Sequence, residues 1–211
     1  MLMHLASLVP TTTAAAVAGQ RRPAPVCAWH VEYLGPQDEG RASLQAFISA
    51  AFLDTYGAEV SHFCNTSIGC RDADGRWIAA LGFSLAGDGP TFLEQYLDAP
   101  LEQEIGARSR QVVRRRHIVE VGNLAAKHTG AARALIVSMT RFLHSQGLHW
   151  VAFTATASLL NSFTRLRLKP GVLAQADPGR LPDAGKCWGT YYSTNPQVMF
   201  GDIRYGYAQL A

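Results

Sequence analysis

The second half of the chain carries the order that most restricts its fold: strand, helix, strand, helix in one unbroken run. Residues 117–126, HIVEVGNLAA, are rich in β-branched side chains and read as a strand. After KHTG comes a helix over 131–146, whose apolar stripe is Ala131, Ala134, Leu135, Met139, Phe142 and Leu143 and which Gly147 stops. Residues 149–156, HWVAFTAT, read as a second strand. Residues 158–168 form a second helix, closed by Pro170. Two strands joined through a helix must lie parallel, and such crossovers are right-handed in nearly every case. The chain is therefore a mixed α/β domain.

The first half fits onto that frame. Leu44, Phe47, Ile48, Ala51, Phe52 and Tyr56 recur at helical spacing and predict a helix ending near Gly57. Strand-like runs at 66–71 and 76–85 flank Asp74-Gly75, a strong hairpin signal. Residues 91–105 read as short helices broken at Pro100, with Glu94, Asp98 and Glu102 on an acidic outer face. After a loop over 176–186, CWGTYYS is expected to be a last strand. Residues 1–30 read as a tail ending in the extended linker Arg21-Arg22-Pro23-Ala24-Pro25, and 31–211 as a single domain. Its early apolar stretch has no Lys or Arg before it and is interrupted by Pro10, unlike a secretory signal, so a cytoplasmic location is expected.

Composition excludes several classes. Hydrophobic residues make up 48% and charged residues 17%, which argues against a disordered chain. A net charge of +3 is too mild to announce a nucleic-acid binder. No uncharged apolar run reaches the ~20 residues of a membrane span. The four cysteines lack zinc-site spacing, the seven histidines include no HExxH, and GxSxG is absent, so neither a metal nor a serine nucleophile is expected. The thiols read as reduced and structural.

Two resemblances follow from particular residues. Lys127-His128-Thr129-Gly130-Ala131-Ala132, between a strand and a helix, resembles the donor-binding signature of GNAT-superfamily acyltransferases, with Lys where Arg or Gln is usual. More extensively, from about residue 31 to 205, the chain resembles the thermostable hemolysin family through FLEQYLDAPLE (92–102), IVEVGNLAA (118–126), NSFTRLRLKP (161–170) and WGTYY (188–192). The resemblance implies a GNAT-like domain similar to acyl-homoserine-lactone synthases, whose corresponding strand carries a glutamate near its middle. It implies a thioester donor, acyl-coenzyme A or an acyl-phosphopantetheinyl carrier protein, and a small amine acceptor.

The residues can be tested against that chemistry. A phosphate end suits a helix start with little side-chain bulk, here Gly130, Ala131 and Ala132 with Lys127 and Thr129 beside them. Gly122 would supply the strand irregularity that frees backbone groups for the amide arm, with Leu124 and Phe163 alongside. Glu120 shares a face with Ile118 and Gly122, and a carboxylate in an apolar strand is costly unless paired or used. It is the candidate general base; its alternative role is as partner to Arg165 or Arg116. A bulge at Gly122 would bring Asn123 to the same face. In many GNAT enzymes a tyrosine on the second helix protonates the leaving thiolate. Here that position is Phe163, which cannot donate a proton, leaving Asn161, Ser162 and Thr164 as neighbouring candidates.

Trp150, Thr154, Trp188 and Tyr191 are candidates for an acceptor or acyl pocket. Glu94 and Asp98 are candidates for receiving a cationic acceptor. The run Arg108–Arg116 is a candidate dock for an acidic carrier protein. The function expected is acyl transfer from thioester to amine by direct attack in a ternary complex. The alternative is a membrane-active cytolysin, as the resembled family's name implies.

Overall fold

One mixed sheet of seven strands organises the computed structural model, which describes residues 30–210. In chain order the elements are β1 (His30–Leu34), α1 (Arg41–Tyr56), β2 (Thr66–Arg71), β3 (Trp77–Leu85), α2 (Leu101–Ser109), β4 (Ile118–Ala126), α3 (Thr129–Ser145), β5 (Trp150–Ala155), α4 (Ala157–Arg165), β6 (Gly171–Gln175), β7 (Gln197–Asp202) and α5 (Ile203–Leu210). The strand order is β1-β2-β3-β4-β5-β7-β6, and every pairing is antiparallel except β4–β5. The expected tail lies outside the described residues, save that His30 opens β1.

Local chemistry explains the elements. Leu44, Ile48 and Phe52 are the buried stripe of α1, which ends at Gly57 with φ +65°, its N–H donating to Leu53 O. At the hairpin, Asp72 Oδ1 accepts from the N–H groups of Asp74 and Arg76, and Gly75 takes φ +75°. α1 packs on one face of the sheet, against Trp77, Ala80 and Ala125. α3 packs on the other, where Leu135, Met139 and Leu143 meet Ala79, Leu81 and Val119.

Two expectations are corrected. CWGTYYS is not a strand: it forms two short 3-10 turns, Lys186–Trp188 and Tyr191–Thr194. Ala184, Gly185 and Gly189 have positive φ, which an extended strand cannot hold, and Gly189 lies so close to Tyr56 O that no side chain would fit there. The closing strands are instead β6 and β7 on either side of that loop. The second correction concerns Glu94, which faces inward rather than out. Its Oε2 accepts from Thr91 N–H, its Oε1 accepts from Leu101 N–H, and Arg115 clasps it.

Candidate active site

The parallel ladder between β4 and β5 runs only from Ile118↔Trp150 to Val121↔Phe153. Beyond it the two strands part. The cause is a bulge on the other side of β4, where Gly82 pairs with Gly122 and Ala80 with Ala125, so Asn123 and Leu124 together oppose Leu81. The irregularity sits one residue past the glycine. Asn123 takes the left-handed conformation, φ +55°, and its side chain holds the bend by accepting from Cys64 N–H (3.2 Å) and donating to His62 O (3.0 Å). β5 meanwhile continues along β7, with Thr154↔Val198 and Ala155↔Gln197.

A cavity of about 490 Å³ opens where the strands separate. Its walls at the notch are Val121, Gly122, Leu124, Phe153 and Thr154. Lys127, Thr129 and Ala132, at and just before the start of α3, line it too, as does Lys169. Phe163 lines it and leans on Phe153, ring centroids 5.0 Å apart. The helix start differs in detail from an open phosphate cradle. His128 Nδ1 accepts the Ala131 N–H at 3.1 Å, and Ala131 itself is fully buried in the core. An anion at this end therefore meets an imidazole as well as backbone.

Glu120 stands two residues before the notch on the α1 side of the sheet, 4% exposed. Its Oε2 accepts from Phe92 N–H at 2.8 Å. Burial pushes its carboxyl up to about 7, and the amides of Phe92 and Leu93 pull it only part of the way back. Beside it lies the Cys64 thiol, pushed up to about 12 by burial and by the Glu120 charge. His62 stacks on Phe92 at 4.8 Å, so the loop before β2 and the turn at Phe92–Tyr96 roof the carboxylate. Glu120 is bound to neither Arg165 nor Arg116. On the same side Tyr191 donates its hydroxyl to Thr154 Oγ1 at 3.0 Å, and both line the cavity. Burial raises the Tyr191 hydroxyl to about 12, so it holds its proton near neutrality.

The model of the family described as thermostable hemolysin matches residues 34–207. The chain belongs to the thermostable hemolysin family. No curated protein sequence matches it. Among solved structures it is similar to the acyl-homoserine lactone synthase LasI (10% identity, TM-score 0.57, 84% of this chain and 91% of that one). It is also similar to BjaI, a CoA-dependent acyl-homoserine lactone synthase solved with SAM and isopentyl-CoA (13%, TM-score 0.56, 86% and 87%). A third is FeeM, an N-acyl amino acid synthase from uncultured soil microbes (13%, TM-score 0.54, 86% and 95%). Together these establish a GNAT-like α/β fold for this family member.

The other site expectations fall in several places. Gly122, Asn123, Leu124, Lys127, Thr129, Ala132, Thr154, Phe163 and Tyr191 come together around the cavity. Asn161 is exposed on α4 and outside it, whereas its neighbour Ser162 is buried and lines it. Trp150 is buried below the notch, packed on Phe200. Trp188 belongs to the aromatic cluster with Phe52, Phe92 and Tyr191 rather than to the cavity wall. Asp98 is a surface partner of Arg180, 2.8 Å away. The Arg108–Arg116 run precedes β4, at the end of that strand away from α3; Arg108 donates to Leu173 O of β6 at 2.9 Å, and Arg115 holds Glu94 and Glu102. Sequence reasoning missed His62, Cys64, Phe92 and the α5 wall of the cavity. No local pattern marks them, because loop packing and sheet pairing bring them in.

Proposed function

We propose that this protein is an N-acyltransferase that moves an acyl group from a pantetheine thioester to a small amine. The observation that carries the reading is the juxtaposition of an opened β4–β5 notch with a buried carboxylate, poised near 7, on the strand that forms it. In this reading the arm lies between the parted strands, where its amides find backbone partners that β5 no longer occupies. Lys127 and Lys169 flank the phosphate end at the start of α3. The acceptor binds on the Glu120 face, under the roof of His62 and Phe92.

The amine nitrogen attacks the thioester carbon as Glu120 takes a proton from it, and the carbon–sulfur bond breaks. The departing thiolate takes a proton from the Tyr191 hydroxyl, which Thr154 orients and solvent recharges. Phe163 supplies packing beside the arm and no proton. Holding donor and acceptor on opposite faces of one notch supplies most of the acceleration by positioning. Asn123 acts as a positioning residue, since its two hydrogen bonds keep the bulge that parts the strands.

Release of free thiol from acyl donors, measured against a panel of amines and amino acids, tests the reading. Glu120→Gln is expected to lower turnover by on the order of a hundredfold or more while the protein stays folded. Wild-type rates should rise with pH through about 7 as the carboxyl ionises, and the variant should lose that limb. A folded variant that turns over at the wild-type rate removes the base.

A further inference from the structure

The cavity has two arms, and only one of them faces the chemistry of the acceptor. The arm toward α1 is lined by Thr55, Tyr56, Asn123, Thr154 and Tyr191, which carry polar groups, together with Ala51 and Phe52. The other arm runs away from Glu120, under α3, between that helix and the β5–β7 face of the sheet. Its roof is Ile136, Met139, Thr140 and Leu143. Its floor is Val151, Phe153 and Gly201, and its far wall is Ile203 and Gly206 of α5 with Leu168.

The polar atoms in this second arm are already used. Thr140 Oγ1 donates to Ile136 O at 2.8 Å. The Asp202 carboxylate accepts from the Arg204 guanidinium and from the Arg204 and Tyr205 amides. The arm therefore presents mainly hydrocarbon, with the exposed Tyr205 the further polar residue of its lining. Space of this kind left empty loses the contacts of its lining, and water finds few partners along Ile136, Met139, Leu143, Val151, Phe153 and Ile203.

Resting on the acyltransfer reading above, we propose that this arm holds the hydrocarbon chain of a medium-to-long fatty acyl donor, and that Gly206 and Thr140 set its length. The arm is continuous with the notch where the thioester carbonyl lies. Ala132 to Leu143 spans eleven residues of α3, about 16 Å at ~1.5 Å per residue. With the first turn, ~5.4 Å, taken by the pantetheine, about 11 Å remains, room for about nine methylenes of an extended chain at ~1.25 Å each. An acetyl group leaves the arm vacant. Gly206 has no side chain, and a methyl added there would sit at ordinary contact distance, 3.4 Å from Thr140 Cγ2 and 3.6 Å from Leu168 Cδ2, so it fits without a clash and takes up space at the end of the arm, whereas a longer side chain must reach into it.

The test is calorimetric titration of the whole protein with S-acyl-pantetheines, acetyl through hexadecanoyl, without acceptor. The same chains on coenzyme A and on an acyl carrier protein distinguish the two carriers. Affinity is expected to improve about fourfold per methylene until the arm is full near decanoyl to dodecanoyl, then to level off. In Gly206→Ala, and further in Gly206→Leu, the levelling point should move to shorter chains, with the dodecanoyl-to-hexanoyl affinity ratio falling tenfold or more in the Leu variant. The Ala variant keeps the experiment decisive if the Leu variant does not fold. Affinity independent of chain length, or a levelling point unmoved by both variants, overturns the chain arm. Thiol release from acetyl donors would then still uphold the transfer reading. Absence of binding by every acyl carrier overturns both.

Discussion

Glu120 gives the clearest residue-scale consequence, because burying a carboxyl at 4% exposure makes its charge expensive. Its folded value of about 7 lies above the ordinary 4.5. The native state therefore holds the proton more tightly than the unfolded chain between those values, and stability falls as pH rises from 4.5 through 7. Above 7 the cost is complete, about 3 kcal/mol. Glu120→Gln removes the ionisation and retains an oxygen for the Phe92 N–H, while its new amide donor carries a penalty that does not vary with pH. Thermal melts should therefore show the variant gaining stability relative to wild type by several degrees between pH 5 and pH 9. A difference constant across that range would show that Glu120 ionises normally. The same residue shows what is legible locally: one charge inside IVEV stands out against its strand. Its partners do not, because Phe92 and Cys64 reach it from loops separated in sequence by 28 and 56 positions.

At the scale of elements, the turn at Phe92–Tyr96 matters because it supplies the amide on Glu120, and Arg115 fixes it in place. Arg115 bonds Glu94 at 2.8 Å, Glu102 at 2.9 Å and Gly89 O at 2.7 Å. Burial alone would raise the Glu94 carboxyl, yet Arg115 and the amides of Thr91 and Leu101 hold it at about 2. A depressed carboxyl contributes stability above its unfolded value of about 4.5 and loses it as pH falls toward 2. Arg115→Ala should cost about 2 kcal/mol at pH 7, discounted from the full shift because Arg115 is a quarter exposed, and much less at pH 3. Urea denaturation at the two pH values measures both; an equal loss at each would mean the ion pair is not the source. The hairpin, α1 and the β4-α3-β5-α4 run were legible because α1, β4 and α3 are long and regular and the turn signals Asp74-Gly75, Gly147 and Pro170 bound the shorter pieces. β1, β6, β7 and α5 were not, since each has five to eight residues. The Tyr-rich segment misled because its aromatics favour strands, while the backbone turns at Gly185 and Gly189 to meet the end of α1.

For the whole molecule, a single departure from regular pairing places the two halves of the site. The Asn123 bulge parts β4 from β5, leaving Glu120 on the α1 face while the cavity reaches both α1 and α3. The order of elements made a mixed sheet predictable, and the resemblance supplied the notch, but the depth of the cavity depends on Leu168, between α4 and β6, and on α5, which follows β7. No helix of the described residues is long and apolar enough to cross a membrane. The most direct test of the account is amide hydrogen exchange with and without an unreactive thioether analogue of decanoyl-coenzyme A. The account predicts slowed exchange at residues 122–124 and 129–132 and along the inner face of α3, with the Arg108–Arg116 segment unchanged. Binding that protects the segment before β4 and leaves the notch exchanging freely would contradict it.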